Sequence, residues 1–303
     1  MTHHVPARRS TGRLQTLEVF QSLWAMELRH PHKAERSPEE NFSMVADAGY
    51  AGICLDPAIG EIEDTAKLQP LFRRHGLKCM MNVFPAKLDE LRPLLELAQE
   101  MNACLVNVIG GVMPVAVADA IPVVRRWLRD ADDFAMPVLF ETHRDGLLND
   151  LFYTLQLIDA VPEMRLCADL SHFVVDRELR LPLRAVDRAY FERILDRSDC
   201  FQGRIASREQ IQVPIDFPQH EMWAELFKGW WKDGMRRWRM RNDNDATLVF
   251  LCELGPPGYA ITDRSGVELS DRWQEAGTIR GWVESIWQEL QSEEKLAGPD
   301  LSS

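Results

Sequence analysis

Residues 137–172 read PVLFETHRDGLLNDLFYTLQLIDAVPEMRLCADLSH, and one pattern in that segment recurs farther along the chain. A short apolar run, PVLF, stops at Glu141; a helix-type segment over about 147–160 follows; a second apolar run, MRLCA, stops at Asp169. TLVFLCELGPP (247–257) stops at Glu253 in the same way. A buried-type strand that ends in a carboxylate bears a desolvation cost unless the charge meets a metal, a cation or a substrate. In a barrel of parallel strands the carboxyl ends converge on one mouth. Glu141, Asp169 and Glu253 therefore point to one metal-centred site, of the oxygen-rich kind that suits Mg2+ or Mn2+.

Outward from that segment, apolar runs alternate with longer amphipathic stretches, as in βα units around a parallel sheet. Strands are expected at about 17–24, 51–55, 77–83, 104–109, 137–141, 164–169, 200–206 and 247–253. Helices fall at about 63–75, 87–102, 116–134, 147–160, 186–197, 219–241 and 271–295. An earlier helix begins at Ser37-Pro38-Glu39-Glu40, an N-cap followed by Pro and acidic residues in the first turn, and Gly49 is its natural stop. Eight such units make an α/β fold, a single (β/α)8 TIM barrel. Residues 14–296 form that one domain, between tails at 1–13 and 297–303. A doubly wound open sheet would carry a Gly-rich phosphate turn after its first strand, but AMELRHPHKAERS (25–37) contains no glycine.

The 303 residues suit one such domain, since α/β barrels run to roughly 250 residues or more. Net charge is −12, from 35 basic and 47 acidic side chains, which repels polyphosphate and excludes nucleic acid as a partner. No run reaches the about 18 consecutive apolar residues of a membrane helix. MTHHVPARRSTGR and the segment behind it lack the features of a signal peptide, so a cytoplasmic protein with no membrane partner is expected. The six cysteines show no CxxC spacing and read as small buried hydrophobes in a reducing compartment.

Four short motifs in order, VLFETHRD, ADLSH, a polar residue ahead of G-R-I, and ELGPP, together resemble the xylose isomerase-like TIM barrels, specifically the sugar phosphate isomerase/epimerase group, over about residues 17–295. The resemblance implies metal ligands on strands five to eight, carried here by Glu141, Asp169, Gln202 and Glu253. Gln202, in CFQGRIAS, stands where the usual residue is His. An amide oxygen can still ligate a hard cation, so the implied site is all oxygen. That favours one divalent ion, Mn2+ or Mg2+ rather than Zn2+, at reduced affinity.

The activity implied is sugar, or sugar-derivative, isomerisation or epimerisation through an enediolate, with Glu141 and Glu253 moving the proton. His172, in D-x-x-H, matches a family residue that contacts substrate oxygen, and Arg208, six positions after Gln202, matches an arginine near the site of ketose 3-epimerases. On the residues themselves, His143 shares the strand face of Glu141 and reads as a catalytic base or substrate contact, or else as a helix cap. Arg204 at the strand-seven exit can clamp a carboxylate, phosphate or hydroxyl, and Trp24 can stack on a sugar face or pack in the core. The same barrel family contains lyases of the inosose dehydratase and C-glycoside deglycosidase kinds, which act by elimination on keto-sugars. A sugar-binding barrel without catalysis is the alternative outside enzymology. Endonuclease IV shares the barrel but needs a His-rich zinc cluster, and only His143 and His172 are well placed. The partner expected is a small-molecule carbohydrate. Trp223, Trp230, Trp231 and Trp238, at helical spacing, form an apolar face against the barrel or against a homo-oligomeric or other subunit.

Overall fold

A computed structural model describes residues 14–29 and 33–297. Eight strands run Thr16–Ser22 (β1), Gly52–Leu55 (β2), Lys78–Val83 (β3), Ala103–Val108 (β4), Val138–Glu141 (β5), Leu166–Ala168 (β6), Ser198–Gln202 (β7) and Thr247–Cys252 (β8). Each pairs in parallel with the next, and β8 closes on β1 with Thr16 opposite Thr247 and Gln21 opposite Cys252. The fold is the expected closed (β/α)8 barrel. Closure leaves no sheet edge unpaired.

The helices are Pro38–Asp47 (α1), Ile62–Ala66 (α2), Gln69–His75 (α3), Leu91–Glu100 (α4), Val117–Asp133 (α5), Leu151–Ala160 (α6), Leu170–Asp176 (α7), Ala185–Arg197 (α8), Glu221–Arg241 (α9) and Arg272–Ala297 (α10). α1 starts as its sequence demands: the Ser37 hydroxyl accepts from the Glu40 N–H, and the Glu40 carboxylate accepts from the Ser37 N–H at 2.7 Å. Gly49 follows its end with φ +80°, the left-handed conformation that favours glycine. The helix expected over 63–75 is two, because Pro70 sits in the first turn of α3 and has no N–H to continue α2. α7 was not expected. No element was assigned to its segment LSHFVVD, yet Asp169 caps it by accepting from the Ser171 N–H at 3.0 Å.

β1 ends at Ser22, short of the expected boundary, and Trp24 opens a 3-10 turn. The tails expected at 1–13 and 297–303 lie outside the described residues, except Ala297, which ends α10. Among the described residues no helix is long and apolar enough to cross a membrane.

Two apolar regions result. Between barrel and helices lies the larger core, which takes in the α9 tryptophans: Trp230 stacks on Phe191 at 4.4 Å and Trp231 meets Phe250 edge-on at 5.3 Å. Inside the barrel, Phe20, Cys54, Met80, Leu105, Leu139, Cys167, Cys200, Val249 and Leu251 form a second cluster. Gly52 makes room for Phe20, whose ring carbon lies 2.3 Å from where a Cβ would stand. Five cysteines are buried as expected; Cys104 is the exception, exposed near the start of β4, at the rim opposite the strands' carboxyl ends.

Candidate active site

Strand alternation builds the mouth. Two residues beyond the inward-facing Phe20, Cys54, Met80, Leu105, Leu139, Cys167, Cys200 and Leu251, on the same face, come Ser22, Asp56, Asn82, Asn107, Glu141, Asp169, Gln202 and Glu253. Every strand thus contributes one polar side chain to a layer that caps the apolar plug. The carboxylates and Gln202 of β5 to β8 were legible in the sequence. Asp56, Asn82 and Asn107 were missed, although the step of two past an inward apolar residue marks each of them.

Glu141, Asp169 and Glu253 each offer a carboxylate oxygen, all within 4.8 Å of one another. Amides tie them to the rest of the layer. Asn107 donates to Oε2 of Glu141 and, at 2.9 Å, to Oδ1 of Asn82. Asn82 in turn donates to Oδ1 of Asp56 at 2.8 Å and to Oε1 of Glu253 at 3.1 Å. Gln202 donates through Nε2 to Oε2 of Glu141 at 2.7 Å, which leaves its own Oε1 buried without a hydrogen-bond partner. A buried acceptor left so costs about 1–3 kcal/mol.

Arg204 supplies the layer's positive charge. Its Nη1 lies 3.0 Å from Oδ2 of Asp169 and its Nη2 3.2 Å from Oε2 of Glu253, while Nε donates to the Glu253 carbonyl at 3.1 Å. Tyr259 and Trp24 cover the guanidinium, with ring centroids 4.8 and 5.8 Å from it, and meet each other edge-on at 5.2 Å. Tyr259 carried no signal in the sequence. Gly255 allows this packing, since a Cβ there would stand 2.6 Å from both Trp24 and Tyr259. Gln212, from the long loop after β7, braces the same turn by accepting from the Gly255 N–H at 2.7 Å and donating to its carbonyl at 3.0 Å.

His143 and His172 lie with ring centroids 4.0 Å apart. Nδ1 of His172 accepts from the Arg144 N–H at 3.3 Å, and its Nε2 lies 3.3 Å from Nη1 of Arg204 and 3.5 Å from Oδ2 of Asp169. His172 is wholly buried; His143 is partly exposed. Arg208, by contrast, stands apart from the carboxylates: it pairs with Glu178 at 3.4 Å and Glu209 at 2.6 Å.

Crowded, buried charges displace the titrations. Burial and then the charge of Glu253 push the Glu141 carboxyl far up, and burial raises Glu253 to about 8 and Asp56 to about 7. Asp169 goes the other way: burial opposes its charge, but Arg204 and His172 overcome that and hold it well below the usual carboxylate range. Burial, reinforced by His172, takes His143 down to about 3. One guanidinium cannot compensate four carboxylates. The excess of anionic oxygen, together with the orphaned Gln202 Oε1, fits a divalent cation held by Glu141, Asp169, Gln202 and Glu253.

No family model matches the sequence. No curated protein matches it either. Solved structures do match. An L-ribulose 3-epimerase superposes with a TM-score of 0.65 at 12% identity, over 95% of this chain and 100% of that one. D-allulose 3-epimerase from Methylomonas sp., in complex with D-allulose, gives 0.58 at 13% identity over 91% and 99%. D-psicose 3-epimerase in the presence of D-fructose gives 0.55 at 11% identity over 89% and 99%. At such identities what the chain shares with these sugar 3-epimerases is the fold.

Proposed function

We propose that the protein is a divalent-metal-dependent sugar epimerase or isomerase, cytoplasmic, acting on a small carbohydrate. The observation that carries this reading is the meeting of Glu141, Asp169 and Glu253 within 4.8 Å at the barrel mouth. The likeness in fold to structures described as sugar 3-epimerases supports it. Glu141, Asp169, Gln202 and Glu253 hold the ion, for which an all-oxygen donor set favours Mn2+ or Mg2+ over Zn2+. When bound, that ion supplies a Lewis acid that polarises a substrate carbonyl and acidifies the neighbouring C–H.

The chain's own groups do the rest. Glu141 and Glu253, which face each other across the mouth, are the groups that would take up a proton from carbon and give one back. Asp169, held ionised by Arg204, serves as a fixed anionic ligand. Arg204 positions Asp169 and Glu253 rather than reaching outward, since its side chain is only 2% exposed. His143, partly exposed and kept neutral by burial, offers a hydrogen bond to substrate oxygen, and His172, wholly buried with its nitrogens facing Arg144, Arg204 and Asp169, backs the His143 ring from 4.0 Å. Trp24, partly exposed beside Tyr259, presents a ring edge or face to the sugar. Arg208, on the rim and paired with Glu178, is assigned to the outer end of the substrate. Incubation of the Mn2+-loaded protein with D-allulose, D-fructose, L-ribulose and inososes, followed by product analysis, tests the reading. A C3 epimer or an aldose supports it. A dehydrated product would move the protein to the lyases, and no product from any of them would defeat it.

A further inference from the structure

The polar layer has two halves, and the metal set occupies only the half from β5 to β8. Across the mouth stand Asp56, one residue past the end of β2, Asn82 on β3 and Asn107 on β4. Their donors are all spent inside the layer: the Asn82 amide on Asp56 and Glu253, the Asn107 amide on Asn82 and Glu141. What remains unmatched on this side is acceptors. Oδ1 of Asn107, on a side chain that is 0% exposed, and Oδ2 of Asp56 are enclosed without a side-chain donor, the Asp56 carboxylate having besides Asn82 only the Trp24 N–H nearby. With the ion assigned to the other half of the layer, these atoms suit a group that brings donors of its own.

We propose that Asp56 and Asn107 receive hydroxyl groups of the substrate, with Asp56 the residue that determines specificity. The proposal rests on the reading of the mouth as a sugar site and adds the hydroxyl contacts that the metal half does not provide. A polyol carries O–H donors on successive carbons, the complement of two fixed acceptors on strands flanking β3. A phosphate ester at the same place would set acceptor oxygens and negative charge against two acceptors, one of them the carboxyl of Asp56. The guanidinium of Arg204 is already paired with Asp169 and Glu253 and cannot answer that charge. The Asp56–Asn107 side therefore selects a neutral polyhydroxyl end and rejects an anionic one.

Calorimetric titration of the Mn2+-loaded protein with D-fructose, D-allulose and their 6-phosphates tests this, on the wild type, Asp56→Asn and Asp56→Ala. Asparagine keeps an oxygen for Asn82 and removes the charge, and thermal melting verifies that both variants fold. The expected result is binding of at least one neutral sugar, weakened about tenfold or more in both variants, as loss of a charged hydrogen bond requires. Each ester should bind the wild type at least about tenfold more weakly than its parent, with the gap narrowed in Asp56→Asn. Equal affinity in wild type and variants, esters bound as tightly as their parents, or no sugar bound at all overturns the assignment. Deuterium exchange on the same samples separates this from the function itself. Exchange with an unchanged KM in Asp56→Asn leaves the epimerase reading standing and removes Asp56, whereas Asp56-dependent binding without exchange does the reverse.

Discussion

Arg204 sets Nη1 3.0 Å from Oδ2 of Asp169, and neither side chain is more than 2% exposed. This guanidinium, buried between Asp169 and Glu253, favours the charged form of both and holds Asp169 well below the usual carboxylate range, while burial raises Glu141 and Glu253. Removing one partner of such a pair strands the other charge in a low-dielectric site.

Arg204→Met should therefore lower stability by about 3–5 kcal/mol. Calorimetric melting with and without Mn2+ measures it, and added ion should restore more of the loss in the variant than it gains for wild type.

Stability of the metal-free protein should depend on pH with a definite sign. Glu253 is raised by burial from 4.5 to about 8, and Asp56 from 3.8 to about 7. A group raised in the folded state contributes stability that is present below its unfolded value and lost as pH climbs through its folded one. Denaturant melts should show stability from these two groups falling between about pH 4 and about pH 8 and levelling off above. Glu253→Gln should flatten that fall, and Mn2+ should suppress it. Asp169 acts oppositely, its contribution vanishing only on strong acidification.

Gln202→His should tighten binding of a divalent ion about tenfold or more and shift preference toward Zn2+, because imidazole suits that ion better than an amide oxygen. Competitive chelation reads this directly; unchanged affinity would place Gln202 outside the ligand set.

Gly255→Ala should cost about 1–3 kcal/mol by overpacking, since its Cβ would press on Trp24 and Tyr259. The loss should come with weakened sugar binding, because the displaced rings are those that cover Arg204.

The barrel and the carboxylates on one half of its mouth were legible in the sequence because each strand-end carboxylate interrupts an apolar run, a contrast that a buried parallel strand makes conspicuous. Asn82 and Asn107 interrupt their runs with neutral amides, which are compatible with a satisfied core position and raise no such flag. Asp56 lies one residue past β2, where a turn acid is commonplace. Tyr259 reaches Arg204 only through the fold of the loop after β8, so no spacing could bring it to notice. α7 escaped for a related reason: its cap, Asp169, already read as a ligand.

Glu253→Gln keeps the shape of the side chain and removes its capacity to carry a proton, so turnover should fall about 10^2- to 10^4-fold with the fold intact, as seen by circular dichroism. Full activity in that variant would transfer the proton step to Glu141 alone.

Most direct of all is solvent-deuterium incorporation at carbon in D2O, with Mn2+ present and the neutral ketoses and inososes followed by NMR. Deuterium should enter the carbon beside the carbonyl with wild-type protein and fail to enter with a Glu141→Gln, Glu253→Gln double variant. A wild-type protein that binds the ion and a sugar, yet exchanges no carbon-bound hydrogen in any of them, would contradict the claim that this mouth moves a proton.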